Sequence, residues 1–174
     1  MTPSIVTAAL QPDTPHVPVA IVGAGACGMS AALMLHDAGV DCVLLERDPA
    51  PCGSTALSSG FIPAAGTRVQ QALGIEDSPE SFAADIQAKA HGTAAAHLVS
   101  AYTQAIGLAI DALQLRHGID FVVIDGFLYP GHSRLRMHAV PEKTGVGLMT
   151  RLQKAVNSAG IPVITSALVR ELCI

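Results

Sequence analysis

Residues 19–46 read VAIVGAGACGMSAALMLHDAGVDCVLLE, and this stretch decides the fold. An apolar run, Val19-Ala20-Ile21-Val22, enters Gly23-Ala24-Gly25-Ala26-Cys27-Gly28. A helical stretch follows, closed by Gly39, and a second apolar run, Val43-Leu44-Leu45, ends on Glu46. Strand, glycine-rich turn, helix, strand and acid within about 30 residues form the signature of a dinucleotide-binding βαβ unit. Gly23 allows the tight turn out of the strand, Gly25 lets a pyrophosphate approach the backbone, and Gly28 lets the helix pack closely on the sheet. The helix start then offers N–H groups and a positive dipole end to phosphates. Glu46 stands where a carboxylate can accept hydrogen bonds from both hydroxyls of an adenosine ribose. It would repel a 2′-phosphate, which argues against an NADP-type ligand. The bland alternative is a βαβ unit with a glycine-rich turn and no ligand.

The surrounding composition bounds the rest. A chain of 174 residues makes one domain or part of one. Half its residues are hydrophobic and 14% are charged, against the usual ~25% charged. Such a chain exposes apolar surface or belongs to something larger, and a partner chain or oligomer covering that surface is expected. The net charge of −4 supplies no basic field for nucleic acid. Cys27, Cys42, Cys52 and Cys173 show no CxxC pair and no metal-ligand spacing. They fit small buried packing roles in a reducing, cytoplasmic compartment. Residues 1–17 read as a flexible tail without the charged start of a secretory signal. The apolar stretch 17–35 is interrupted by three glycines, so it reads as strand plus helix and not as a membrane span.

Further along, residues 53–60 gather serines and small side chains. Ser78-Pro79-Glu80 is a helix start, with Phe82, Ile86 and Ala90 on one face. A longer helix is expected over 94–117, with Leu98, Tyr102, Ile106, Ala109 and Leu113 inward and Gly118 as its stop. Residues 121–124 read as a strand, and Asp125-Gly126 as a two-residue hairpin turn into 127–129. A strand over 132–139 would put His132, Arg134, Arg136 and His138 on one face, as a solvated or domain-pairing surface or as a dicarboxylate site. Thr144 would cap a helix burying Val146, Met149, Leu152 and Val156. A strand follows Ile161, and Leu168-Val169 begins another. Cys27 reads as a small filler beneath a pyrophosphate or, at a helix start, as a redox thiol. His91, His97 and His117 read as surface or helix-end residues, and no GxSxG elbow supports a hydrolase.

Taken together, the glycine fingerprint with Glu46, the segment Cys52-Gly53-Ser54-Thr55-Ala56-Leu57-Ser58-Ser59-Gly60, and the segment Gly131-His132-Ser133-Arg134-Leu135-Arg136-Met137-His138-Ala139 with Thr144-Gly145 resemble the fumarate reductase/succinate dehydrogenase flavoprotein family. That family includes aspartate oxidase, 3-ketosteroid dehydrogenases and urocanate reductase, and the resemblance runs over 17–172. It implies FAD as cofactor, with Gly23, Ala24, Gly25, Ala26, Cys27 and Gly28 at the pyrophosphate. Glu46 and its neighbour Arg47 would lie on the adenosine side. Gly53, Ser54 and Thr55 would meet the pyrophosphate and ribityl chain, Ser58, Ser59 and Gly60 would lie along the isoalloxazine, and the main chain of Val169 would border the adenine. Cys52 replaces a loop glycine of the family, so a left-handed backbone there would be strained. Ser54 stands where succinate dehydrogenases carry the flavin-linking histidine, which implies non-covalent FAD.

The implied fold is α/β: a three-layer, Rossmann-like FAD-binding domain over 18–174, with a parallel sheet, inserted helices and a β-hairpin. The resemblance implies a truncated domain, without the family's β-meander, substrate-capping domain and C-terminal FAD segment. The implied function is the flavin-binding part of an oxidoreductase that transfers hydride to or from a small carboxylate- or carbonyl-bearing substrate. The alternatives are a non-catalytic nucleotide-binding module needing a partner chain, and an NAD-dependent dehydrogenase sharing the first fingerprint alone. No nucleic acid, metal or catalytic residue is assigned.

Overall fold

In the computed structural model, which describes residues 4–7 and 15–173, the chain divides into two units. One comprises the chain up to Leu57 and from Met149 onward; the other is Ser58–Leu148. In chain order the elements are β1 (Ser4–Val6), β2 (Val19–Val22), α1 (Ala26–Asp37), β3 (Cys42–Leu45), α2 (Gly53–Leu57), β4 (Ile62–Pro63), α3 (Arg68–Ala72), α4 (Pro79–Lys89), α5 (Ala96–His117), β5 (Val122–Val123), β6 (Met137–Ala139), α6 (Gly145–Ser158), β7 (Val163–Ile164) and β8 (Glu171–Cys173).

The first unit is built on a parallel sheet ordered β2-β3-β7, with Val19 opposite Cys42 and Leu44 opposite Val163. This is the parallel sheet expected from the three apolar runs. β3 lies in the middle and buries Cys42 and Leu44. α1 carries Met29, Ala32 and Leu33, spaced three and one apart, and buries all three. It ends where Gly39 adopts φ +71° and donates its N–H to the His36 carbonyl. The stretch expected to be a flexible tail departs from that reading at Ser4–Val6, which pairs in parallel with β8. Two consecutive β-branched residues, Ile5 and Val6, suit a strand. Residues 1–3 and 8–14 of the tail lie outside the described residues. Leu168-Val169 is irregular chain, and the expected last strand starts at Glu171.

The second unit holds an antiparallel sheet ordered β4-β6-β5 and the helices α3, α4 and α5. α4 starts as expected, with Ser78 Oγ accepting from the Ser81 N–H and Pro79 in the first turn. α5 ends on Gly118 at φ +63°, but its buried face is Val99, Thr103, Gly107, Ile110 and Leu113. The helix is therefore rotated by about one residue from the expected face, and Leu98 and Tyr102 are exposed. Gly107 fixes the rotation: a Cβ there would lie 2.3 Å from the Ala65 carbonyl oxygen, so only glycine lets the helix touch that backbone.

Three other expectations are corrected here. Asp125-Gly126 does not make a two-residue hairpin. β5 pairs with β6 across residues 124–136, with Val122 opposite Ala139, and the connection carries its own turn, in which the His132 N–H meets the Tyr129 carbonyl. The strand expected over 132–139 shrinks to Met137–Ala139, so the cationic face does not exist: Arg136 and His138 are fully buried while Arg134 is exposed. In α6, Met149, Leu152 and Val156 are buried but Val146 is exposed.

Candidate functional site: the glycine turn and its acid

β2 delivers the chain to Gly23, which at φ +98° turns out of the strand while its N–H still reaches the Leu45 carbonyl at 2.8 Å. Gly25 is the N-cap of α1, in extended conformation and without a capping side chain. The first-turn amides of a helix have no intrahelical acceptor. Here the Ala26 N–H is taken by the Thr55 hydroxyl at 3.2 Å. Gly28 is indispensable sterically, since a Cβ there would fall 2.0 Å from the Gly23 carbonyl oxygen. At Gly25 a Cβ would meet only Thr55 Oγ1, at 3.5 Å.

Glu46, at the exit of β3, is brought back onto the turn. Its Oε2 accepts the Ala24 N–H at 2.9 Å and its Oε1 accepts the Asp48 N–H at 3.0 Å. A carboxylate offers about four acceptor positions, so these two bonds orient it and leave capacity for two hydroxyls. Arg47 is exposed and paired with Asp48 at 3.1 Å. The chain leading to Val169 follows this exit, with the Ala167 N–H on the Glu46 carbonyl and the Ser166 N–H on that of Asp48; Val169 itself is half-buried.

The serine-rich loop divides between the two units. Gly53, Ser54 and Thr55 lie in the short helix α2, where Ser54 is exposed and Thr55 half-buried. The left-handed residue is Gly53, at φ +52°, and Cys52 is not among the residues of positive φ. The strain foreseen at Cys52 is therefore absent, the left-handed position being held by the glycine that follows it. In the other unit, Ser58 Oγ accepts the Gly60 N–H at 3.0 Å, and the Ser58 carbonyl accepts the Gly145 N–H at 2.9 Å. Gly60 is buried at φ +67°, with room for a Cβ denied by the Thr144 carbonyl at 2.7 Å. Ser59 is exposed.

The cysteines do not share one role. Cys42 is buried, whereas Cys27, Cys52 and Cys173 are exposed. No group of His, Cys, Asp or Glu among the described residues could hold a metal ion.

Sequence reasoning missed a buried polar network in the second unit. Arg136 donates to Asp77 through Nε at 2.9 Å and Nη2 at 2.8 Å, and to Asp85 through Nη1. Its guanidinium lies 4.7 Å from the centroid of the Phe82 ring. Gln70 Nε2 donates to Asp77 and to the Leu135 carbonyl. His138 donates from Nδ1 to the Arg136 carbonyl at 2.9 Å, so its Nε2 accepts from the Thr67 hydroxyl at 2.8 Å. Burial, the largest influence, keeps the imidazole below its ordinary pKa and hence neutral. Burial alone would raise the Asp85 carboxyl, but the Ser133 N–H and hydroxyl with Arg136 outweigh it and hold it below the ordinary value. One signal was passed over: Thr67-Arg68-Val69-Gln70 has capping-box spacing, and both reciprocal bonds form.

A parallel βαβ unit whose glycine turn opens a helix, with the acid of the next strand bonded to that turn, defines a dinucleotide-binding α/β protein. The model of the FAD binding domain family matches residues 18–174, and the chain belongs to that family, among the fumarate reductase/succinate dehydrogenase flavoproteins. It is 31% identical over 156 residues to the NADH:fumarate oxidoreductase of Klebsiella pneumoniae (strain 342), covering 88% of this chain and 16% of that protein. It is 32% identical over 141 residues to the urocanate reductase of Eggerthella lenta, covering 81% of this chain and 23% of that protein. The chain thus spans less than a quarter of the length of these relatives. Among solved structures, the open conformation of a flavocytochrome c3 fumarate reductase superposes with a TM-score of 0.72 at 26% identity, over 86% of this chain and 26% of that one. The 3-ketosteroid-Δ4-(5α)-dehydrogenase of Rhodococcus jostii RHA1, at TM-score 0.74 and 23% identity over 95% of this chain and 41% of that one, shares the fold.

Proposed function

We propose that this chain holds FAD non-covalently and forms the flavin-binding part of an oxidoreductase acting on a small carboxylate- or carbonyl-bearing substrate. The observation that carries the reading is Glu46, whose carboxylate is bonded to the Ala24 amide beside the N-terminus of α1, where Gly25 offers no capping side chain. This brings an acceptor for ribose hydroxyls against a cradle for diphosphate. The small residues at 23–28 fit that group, since the turn carries no side chain larger than Cys27. Bound there, FAD would supply hydride transfer, with the protein contributing binding, orientation and electrostatics. Ser58, Ser59 and Gly60 are proposed along the isoalloxazine on the strength of the loop sequence, and Ser54, in place of a histidine, provides no imidazole for a covalent link.

Titration of the purified chain with FAD, followed by its visible spectrum and then by denaturation, tests this. The expected result is a stoichiometric flavin spectrum and full release of flavin on denaturation. A chain that takes no FAD, or keeps it on the unfolded polypeptide, overturns the corresponding part. A second reading, a nucleotide-binding module that turns over only with further polypeptide, is favoured by the share of the relatives' length that the chain spans. Fumarate or urocanate reduction by the FAD-loaded chain, with dithionite-reduced viologen as electron donor, separates the two.

A further inference from the structure

The face of α5 turned away from its unit carries an apolar seam that is left exposed among the described residues. Leu98, Ala101, Ala105, Leu108, Ala112 and Leu115 follow one another at intervals of three, four, three, four and three residues. That is the a/d spacing by which two helices pack knobs into holes. The three leucines are 63%, 72% and 62% exposed. Thr103 and Ile110, on the opposite side of the helix, are buried in the unit. The seam runs roughly 27 Å at 1.5 Å per residue.

We propose that this seam is the interface of a two-fold dimer in which α5 packs antiparallel against α5 of a second copy. The spacing reverses onto itself about a point between Ile106 and Gly107. Antiparallel pairing therefore sets Leu98 opposite the second copy's Leu115, Ala101 opposite Ala112, and Ala105 opposite Leu108, each pair occurring twice, as an isologous contact requires. Leucines close the two ends, alanine meets alanine between, and a large residue meets a small one in the middle. Such alternation lets the helix axes approach to about 8 Å. The flanks agree: Asp111 of one copy comes beside His97 and Gln104 of the other, and Arg116 beside the Tyr102 ring, so no like charges meet. The opposed helix dipoles favour the same orientation. By length and hydropathy α5 is also long and apolar enough to cross a bilayer. However, Gly107 sits against the Ala65 carbonyl and Tyr102 donates to the Pro63 carbonyl, so one side of the helix belongs to the protein along its length.

Sedimentation equilibrium of the 174-residue chain tests the proposal, with and without FAD. The expected result is a dimer at micromolar concentration. Leu108→Glu, with an unchanged circular dichroism spectrum, should weaken it more than about tenfold, and Leu98→Glu should do the same from the seam's end. Orientation is read by disulfide trapping in a background with Cys27, Cys52 and Cys173 replaced by serine. A mixture of Ala101→Cys and Ala112→Cys chains should cross-link, and neither chain should cross-link with itself. A monomeric wild-type chain overturns the proposal, as does a dimer indifferent to Leu108→Glu or efficient self-linking of Ala101→Cys. A monomer that sediments with phosphatidylglycerol vesicles, and ceases to on Leu108→Glu, overturns it in favour of a membrane-facing helix.

Discussion

Two glycines three residues apart do different work at the start of α1, and substitution separates them. Alanine at Gly28 would drive a methyl to 2.0 Å from the Gly23 carbonyl oxygen, so the helix must back away from the turn. Overpacking of this kind costs about 1–3 kcal/mol, and the displaced amides lose their aim, so urea unfolding and FAD titration should both register Gly28→Ala. Gly25→Ala meets only an ordinary contact with Thr55 Oγ1 at 3.5 Å, and φ is −81°, which any residue accepts. Its stability should stay within about 0.5 kcal/mol of the parent while flavin affinity falls, because the new methyl stands where the diphosphate is proposed to lie. Equal losses of stability in the two variants would refute this division. The roles of Gly23 and Gly28 in the turn were legible in the sequence because turn and helix packing fall within one short unit, whereas the bond from the Ala24 amide to Glu46 was not foreseen. Arg136 was not: its partners Asp77 and Asp85 lie 59 and 51 residues away, and no local period announces a buried charge.

Among the elements, α3 shows how a five-residue helix is held. Thr67 Oγ1 accepts the Gln70 N–H at 3.1 Å, Gln70 Oε1 accepts the Thr67 N–H at 3.2 Å, and the same hydroxyl donates to His138. Thr67→Ala removes the cap, worth about 1 kcal/mol, and strands a buried imidazole nitrogen, worth about 1–3 kcal/mol more. Thr67→Ser should recover most of the loss, as read from urea midpoints. α5 was legible in extent and end but not in rotation. Apolar side chains surround it, so periodicity alone does not choose the inward face; the close approach of Gly107 to a distant backbone does. The Asp125-Gly126 dipeptide misled for a related reason. Turn chemistry is local, while the register of β5 on β6 sets Val123 opposite His138, both buried.

For the molecule as a whole, the buried network makes stability depend on pH. Burial depresses the pKa of His138 below the ordinary histidine value of about 6.5, so on acidification the unfolded chain takes up that proton first. The stabilisation is complete above about pH 6.5 and is lost as pH falls through the folded-state value. His132 is shifted the same way, chiefly by burial. Asp85 is also depressed, so its contribution persists above the ordinary carboxylate value of about 3.9 and fades only below it. Urea midpoints measured downward from pH 8 should therefore decline in two stages, one beginning near neutrality and one near pH 4. A flat profile from pH 7.5 to about 5 would show that the imidazoles are not held neutral by the fold.

The bond from the Gly145 amide to the Ser58 carbonyl has a consequence of its own. It joins the two ends of the Ser58–Leu148 unit, with Gly60 locked against Thr144 beside it. Because its ends are tied to each other, the stretch between Gly60 and Thr144 can change in length without re-spacing Ser58 and Gly145.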